Sequence, residues 1–177
     1  MKPLRIAVLG YFILIVVVSF MSNCQAQNSH ATIYYVNSET GNDQNNGKSV
    51  KKAWKTIWKV NQQVFKPGDE ILFAAGTEYE GQLKPKGSGK KGQPILINRY
   101  GKGTNPAIHG CGGDEATLLL HNIEYWEIRH LEITNTGVEK KARRRGVIIR
   151  AEDFGDCNHI VLEGLEIHHV NGVLEKH

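Results

Sequence analysis

The chain has 177 residues, 40% of them hydrophobic and 23% charged, with a formal net charge of +4. That composition excludes a collagen-like, low-complexity or disordered chain, and it suffices for one domain with a core. The modest positive charge demands neither nucleic acid nor a membrane surface as partner. Nineteen glycines, many in turn-forming contexts, point to a turn-rich, β-dominated protein.

The chain opens as an export signal. Lys2 and Arg5 precede Ile6 to Phe20, fifteen residues without a charge. That core is short for a membrane span and right for a signal peptide. Cys24-Gln25-Ala26 is an acceptable small-x-small cleavage site, which divides the chain into a signal at 1–26 and a mature domain at 27–177. Met21-Ser22-Asn23-Cys24 is a second reading, a poor lipobox that would leave a lipid anchor on Cys24. The expected location is therefore secreted, periplasmic or cell-surface, with no membrane span after processing. Export lowers the weight of nucleotide motifs. Cys111 and Cys157 are two thiols in a compartment that permits a disulfide, but they are too few for a disulfide framework. Free thiols are the first reading and a bond between them the second.

Along the mature chain, Thr32-Ile33-Tyr34-Tyr35-Val36 reads as a strand. A polar loop runs from Asn37 to Gly47. Ala53, Trp54, Ile57, Trp58, Val60 and Val64 then form an apolar face with lysines mostly opposite, which predicts a helix over 50–64. Pro67-Gly68-Asp69 ends it. Beyond this point only short apolar runs occur: 71–73, 94–97, 107–108, 118–120, 126–128, 131–133, 147–149, 160–162 and 165–167. Turn formers bound each run. Trp126-Glu-Ile-Arg-His-Leu131-Glu132-Ile133 aligns without a gap on Ile160-Val-Leu-Glu-Gly-Leu165-Glu166-Ile167, an offset of 34 residues. Both copies continue into an Asn-containing turn, at Asn135 and Asn171. One such unit cannot bury its own apolar face, whereas stacked units can.

In order along roughly 32–172, the chain carries Tyr34-Tyr35-Val36, Gly41-Asn42-Asp43 and Asn46-Gly47, then Ala53-Trp54-Lys55-Thr56-Ile57. Lys66-Pro67-Gly68-Asp69 with Ile71, Gly76-Thr77 with Tyr79, Pro94-Ile95 with Ile97, Tyr100-Gly101, Pro106 and Ile108 follow. This series resembles the N-terminal part of right-handed parallel β-helix proteins of the pectate-lyase-like and related carbohydrate-active families. The resemblance implies an all-β fold: a right-handed parallel β-helix with an N-terminal capping α-helix and about three coils, truncated at its C-terminus. In it, helix 50–64 would cap the first coil with Trp54, Ile57 and Trp58. The chain stops at Val173-Leu174-Glu175-Lys176-His177 with no capping element, so self-association through that open end is a further expected partnership.

Several motifs are decoys. Gly41 to Ser49 approximates a phosphate loop, but its first glycine lies one residue too far from Gly47-Lys48-Ser49. Gly87-Ser-Gly89-Lys-Lys-Gly92 matches a dinucleotide fingerprint but leads into Pro94 and a strand, so no helix end meets a pyrophosphate. Asp43-Gln-Asn45-Asn46-Gly47 opens like a calcium loop, but its twelfth position is Trp54.

The resemblance implies a polysaccharide as partner, uronate-containing ones among the candidates, and no nucleic acid. Strand 146–150 reads as lining a groove, with the basic stretch 138–145 as its wall. Arg143, Arg144, Arg145 and Arg150 are then candidate substrate-binding residues, because guanidinium forks pair with uronate carboxylates. Asp153 and Asp156 follow that strand and could bind Ca²⁺, the cation that would neutralise a uronate in β-elimination. The expected activity is a lyase of this kind. The alternatives are a glycoside hydrolase of the same fold, a non-catalytic glycan-binding module, or an inactive fragment. Hydrolysis needs two facing carboxylates, and Glu132 and Glu166 occupy equivalent repeat positions. His168 and His169 read as corner residues. No catalytic residue is carried over from the family, whose catalytic coils lie further along than this chain extends.

Overall fold

The computed structural model describes residues 31–173. The signal at 1–26 and Cys24 lie outside the described residues. Among those described, no helix is long and apolar enough to cross a membrane.

The chain is mostly β, and its strands pair in parallel throughout. It passes repeatedly through the same sheets in the same order. A five-stranded sheet collects β1 (Ile33–Val36), β2 (Glu70–Ala74), β4 (Ile95–Tyr100), β7 (Trp126–Arg129) and β11 (Ile160–Glu163). A four-stranded sheet collects β3 (Glu78–Glu80), β5 (Ala107–His109), β8 (Glu132–Asn135) and β12 (Glu166–Val170). β6 (Ala116–His121) pairs with β10 (Arg145–Arg150), and β9 (Lys141–Ala142) with β13 (Gly172–Val173). The four-stranded sheet records four passes where about three were expected. The extra one is β3, whose Glu-Tyr-Glu has one apolar residue and pairs only through its neighbour.

The repeat read from the sequence is the register itself. Trp126 lies against Ile160 and Glu132 against Glu166, the same offset of 34. Each pass sets its inward aliphatic residue on the one before. Ile71, Ile97, Ile128 and Leu162 form one column, and Tyr79, Ile108, Ile133 and Ile167 a second. The members of these columns up to Ile128 and Ile133 belong to the core, where Ile71, Ile97, Ile128 and Ile133 are fully buried.

The expected helix over 50–64 is corrected. The segment breaks into a 3₁₀ turn, Val50–Lys52, and a six-residue helix α1, Ile57–Gln62. Between them Trp54 is extended and bridges Val36. Asp43 decides this. Its carboxylate accepts from Lys55 N at 2.7 Å, Thr56 N at 3.0 Å and Thr56 Oγ1 at 2.7 Å. Thr56 then caps α1 by accepting from Lys59 N. A loop carboxylate thus supplies partners that a continuous helix would take from its own backbone. Trp54 stacks on Tyr34 at 4.8 Å and is buried with Ile57, but Trp58 is 64% exposed and covers nothing in the core. Gly47, at φ +74°, leaves room for the Trp54 indole, since a Cβ there would lie 2.6 Å from the ring.

Candidate functional site

Three outward features carry the polar chemistry. The first is the face of the four-stranded sheet. Register partners Glu132 and Glu166 stand on adjacent strands, whose spacing is about 4.8 Å. Each carboxylate has its own partner: His168 Nε2 lies 3.2 Å from Glu132, and Asn105 Nδ2 donates to Glu166 at 2.8 Å. Two passes earlier, His109 lies 3.8 Å from Glu78 and its Nδ1 lies 2.8 Å from Thr134 Oγ1. His168 is in the strand, and the positive φ of His169 marks the register shift before Val170.

The second feature is the rim of β6 and β10. Glu115, just before β6, is clamped by Arg145 at 2.5 Å and Arg150 at 2.8 Å. The Arg150 hydrogen bond, with the charges of Arg150, Arg145 and Arg143, holds the Glu115 carboxyl below the usual carboxylate range. Arg150 also reaches Glu152, which lies 2.9 Å from His121.

The third is a cleft of about 270 Å³ lined by Gly112, Asp114, Glu115, Lys141, Ala142, Arg143 and Arg144. Arg144 is buried in its wall. Its guanidinium donates to Glu139 O at 2.6 Å, to Asn171 Oδ1 and to Gly112 O at 3.3 Å. Gly112 and Gly137 make room for it, because a Cβ on either would fall within 2.8 Å of Arg144 Nη2.

The four candidate arginines thus divide. Arg143 and Arg144 line the cleft, Arg144 through a guanidinium committed to the chain's own oxygens, while Arg145 and Arg150 hold Glu115. Asp153 and Asp156 are exposed in the connection from β10 to β11. Among the described residues, no group of three or more His, Cys, Asp or Glu is gathered to hold a metal ion. Cys111 and Cys157 are both free thiols. Sequence reasoning missed Glu115, because only the β6–β10 pairing brings it to arginines 30 and 35 residues away. The Glu127 carboxylate, held low chiefly by the His159 hydrogen bond and then by Arg129, was missed likewise.

No family model matches the chain. It is similar to the lacto-N-biosidase of Bifidobacterium longum subsp. longum, 28% identical over 202 aligned residues covering 84% of this chain and 13% of that protein. Among solved structures it resembles a GH136 lacto-N-biosidase from Eubacterium ramulus. The selenomethionine form matches with TM-score 0.74 and 31% identity over 80% of this chain and 27% of that one. The native form matches with TM-score 0.71 and 30% identity over 80% and 28%. The chain therefore spans only a small part of the length of these relatives. These similarities overturn the pectate-lyase-like resemblance: the proteins this chain matches are named as glycosidases, not lyases.

Proposed function

We propose that this chain forms the opening passes of a right-handed parallel β-helix belonging to an exported glycoside hydrolase that acts on glycans. One observation carries the reading: 31% identity and a TM-score of 0.74 to a GH136 lacto-N-biosidase over 80% of the chain. The parallel sheets visited in constant order support the β-helix, and the proteins matched favour hydrolysis over β-elimination. The cleft is the surface offered to a glycan. Asp114 brings an acceptor and Lys141 a donor to its lining, a mixture suited to hydroxyls, which donate and accept at once. A neutral sugar fits this balance better than a uronate does, because the carboxylates of Asp114 and Glu115 lie in the same lining as the cationic side chains.

The test is to incubate the full chain with neutral oligosaccharides and with uronate polymers. Binding, new reducing ends and unsaturated ultraviolet-absorbing product are each followed. Binding of neutral glycans is expected, weakened between about threefold and tenfold in Lys141→Ala by loss of one hydrogen bond. Unsaturated product from a uronate polymer, or neither binding nor cleavage of any neutral glycan, would overturn the reading.

A further inference from the structure

The net charge of +4 conceals a segregation. Residues 48–66, the cap of the first pass, carry six lysines and no aspartate or glutamate, and residues 81–113 carry no carboxylate side chain either. Lys48, Lys51, Lys52, Lys55 and Lys66 are exposed. The fold gathers these cations. Lys48, Val64 and Lys66 line one cleft of about 240 Å³ with Thr32 and Tyr34. Gly47 N donates to Lys52 O at 2.9 Å, Val64 bridges Lys86, and Asn61 Oδ1 accepts from Lys84 N at 2.8 Å. Among the described residues, no lysine of this face pairs with a carboxylate. Asp43 and Asp69 adjoin the face, but the backbone occupies both. Asp43 accepts from Lys55 N and Thr56 N, and the buried Asp69 from Thr32 N and Lys66 N.

We propose that this cap face rests on an anionic phospholipid surface. Apolar side chains stand among the cations: Trp58 is 64% exposed, Val64 58% and Val50 52%. The inner side of the same segment, with Trp54, Ile57, Val60 and Phe65, is buried in the core, so the outer side is held rigidly outward. A soluble polyanion would satisfy the lysines and leave Trp58 and the valines in water. A headgroup layer takes both, since lysines reach its phosphates while a tryptophan settles at headgroup depth. β1 begins beside this face, because Thr32 lines the cleft. Cys24, the acyl site of the second export reading, precedes Thr32 by eight residues, about 28 Å at full extension. An acyl chain there would bring the cap to the membrane first. The proposal rests on export of the chain and uses none of the residues lining the glycan cleft.

Vesicle co-sedimentation of the mature chain, residues 27–177, which holds every described residue, tests this. Vesicles of mixed phosphatidylglycerol and phosphatidylcholine should bind it, more weakly as salt is added. Phosphatidylcholine alone should bind it at least about tenfold more weakly. Trp54 and Trp126, the other two tryptophans, are buried, so a shift of tryptophan emission to shorter wavelength on binding reports Trp58. The triple variant K51Q/K52Q/K55Q should bind about a hundredfold more weakly, at about fivefold per lysine, and Trp58→Ala about tenfold. Both variants should melt as the parent does, because all four side chains are exposed. No binding, equal binding to both kinds of vesicle, an emission that does not move, or a triple variant that binds like the parent overturns the proposal. If Trp58→Ala binds like the parent and dextran sulfate displaces the chain, the face belongs to soluble polyanions and the lipid surface is overturned.

Discussion

The third and fourth passes of the chain carry the same spacing of inward aliphatic residues in two surroundings. Ile128 and Ile133 are fully buried, and Leu162 and Ile167, one repeat later, stand 39% and 49% exposed. The strands lie in register along the repeat, but β7 and β8 pair on both sides and, among the described residues, β11 and β12 on one. The difference in burial follows from what lies against each strand. In this architecture an aliphatic side chain contributes its full burial only when a pass lies on both sides of it, so stability belongs to stacked pairs of passes.

The sharpest way to break the comparison is to truncate matched residues. Ile133→Ala should cost about 3–4 kcal/mol, and Ile167→Ala, already half in water, about 1 kcal/mol. Chemical denaturation of both variants measures the ratio. Equal costs would mean that the two passes share one environment.

Alkaline titration probes a fully covered position. The Tyr79 hydroxyl lies 2.9 Å from Thr77 Oγ1, and burial pushes its pKa up to about 12. The unfolded value is about 10, so the folded chain holds the proton more tightly. This contribution is fully present below about pH 10 and is lost as pH rises toward 12, by about 2–3 kcal/mol in all. Stability measured across that window should fall less steeply in Tyr79→Phe, and an unchanged slope would refute this account. Ile167, the register equivalent of Tyr79 on the last pass, offers no such group.

The smallest contrast lies at the corners. Asn135 is fully buried, accepts from Gly112 N at 3.0 Å and donates to Arg145 O at 2.8 Å. Asn171 does the same work one pass later: it accepts from Gly137 N at 3.0 Å and donates to Gly137 O at 2.7 Å, but it is only half-buried. Asn135→Ala should cost about 2 kcal/mol and Asn171→Ala about 1 kcal/mol, since water can replace lost partners at the outer corner but not at the inner one. Thermal melts would order them, and a larger loss at Asn171 would reverse the argument.

Much of this was legible in residues. The gapless alignment of 126–133 on 160–167 became the register, and Asn135 and Asn171 became equivalent corners. Short apolar runs became strands, because a run of three or four aliphatic residues between turn formers has few other ways to bury itself. The segment 50–64 misled because its apolar spacing suits a helix, while Asp43, far back in a polar loop, reorganises its start through hydrogen bonds that periodicity does not encode. β3, β9 and β13 escaped notice because two or three residues become a strand only when a neighbouring pass offers an edge.

The site divides in the same way. Sequence alone brought together Arg143, Arg144, Arg145 and Arg150 as a cationic stretch, and it paired Glu132 with Glu166, because both facts depend on spacing along one strand or one repeat. Only the tertiary structure assigned each arginine its task. Arg144 is buried against Gly112 and Asn171, while Arg145 and Arg150 close on Glu115 across the β6–β10 pairing. A guanidinium's role follows from the oxygen it reaches, and those oxygens lie 27 to 35 residues away in sequence. The local pattern settles which residues face inward, because alternation along a strand has a fixed period. Which pass is covered and which stays open is set by what lies against it, and no local pattern contains that.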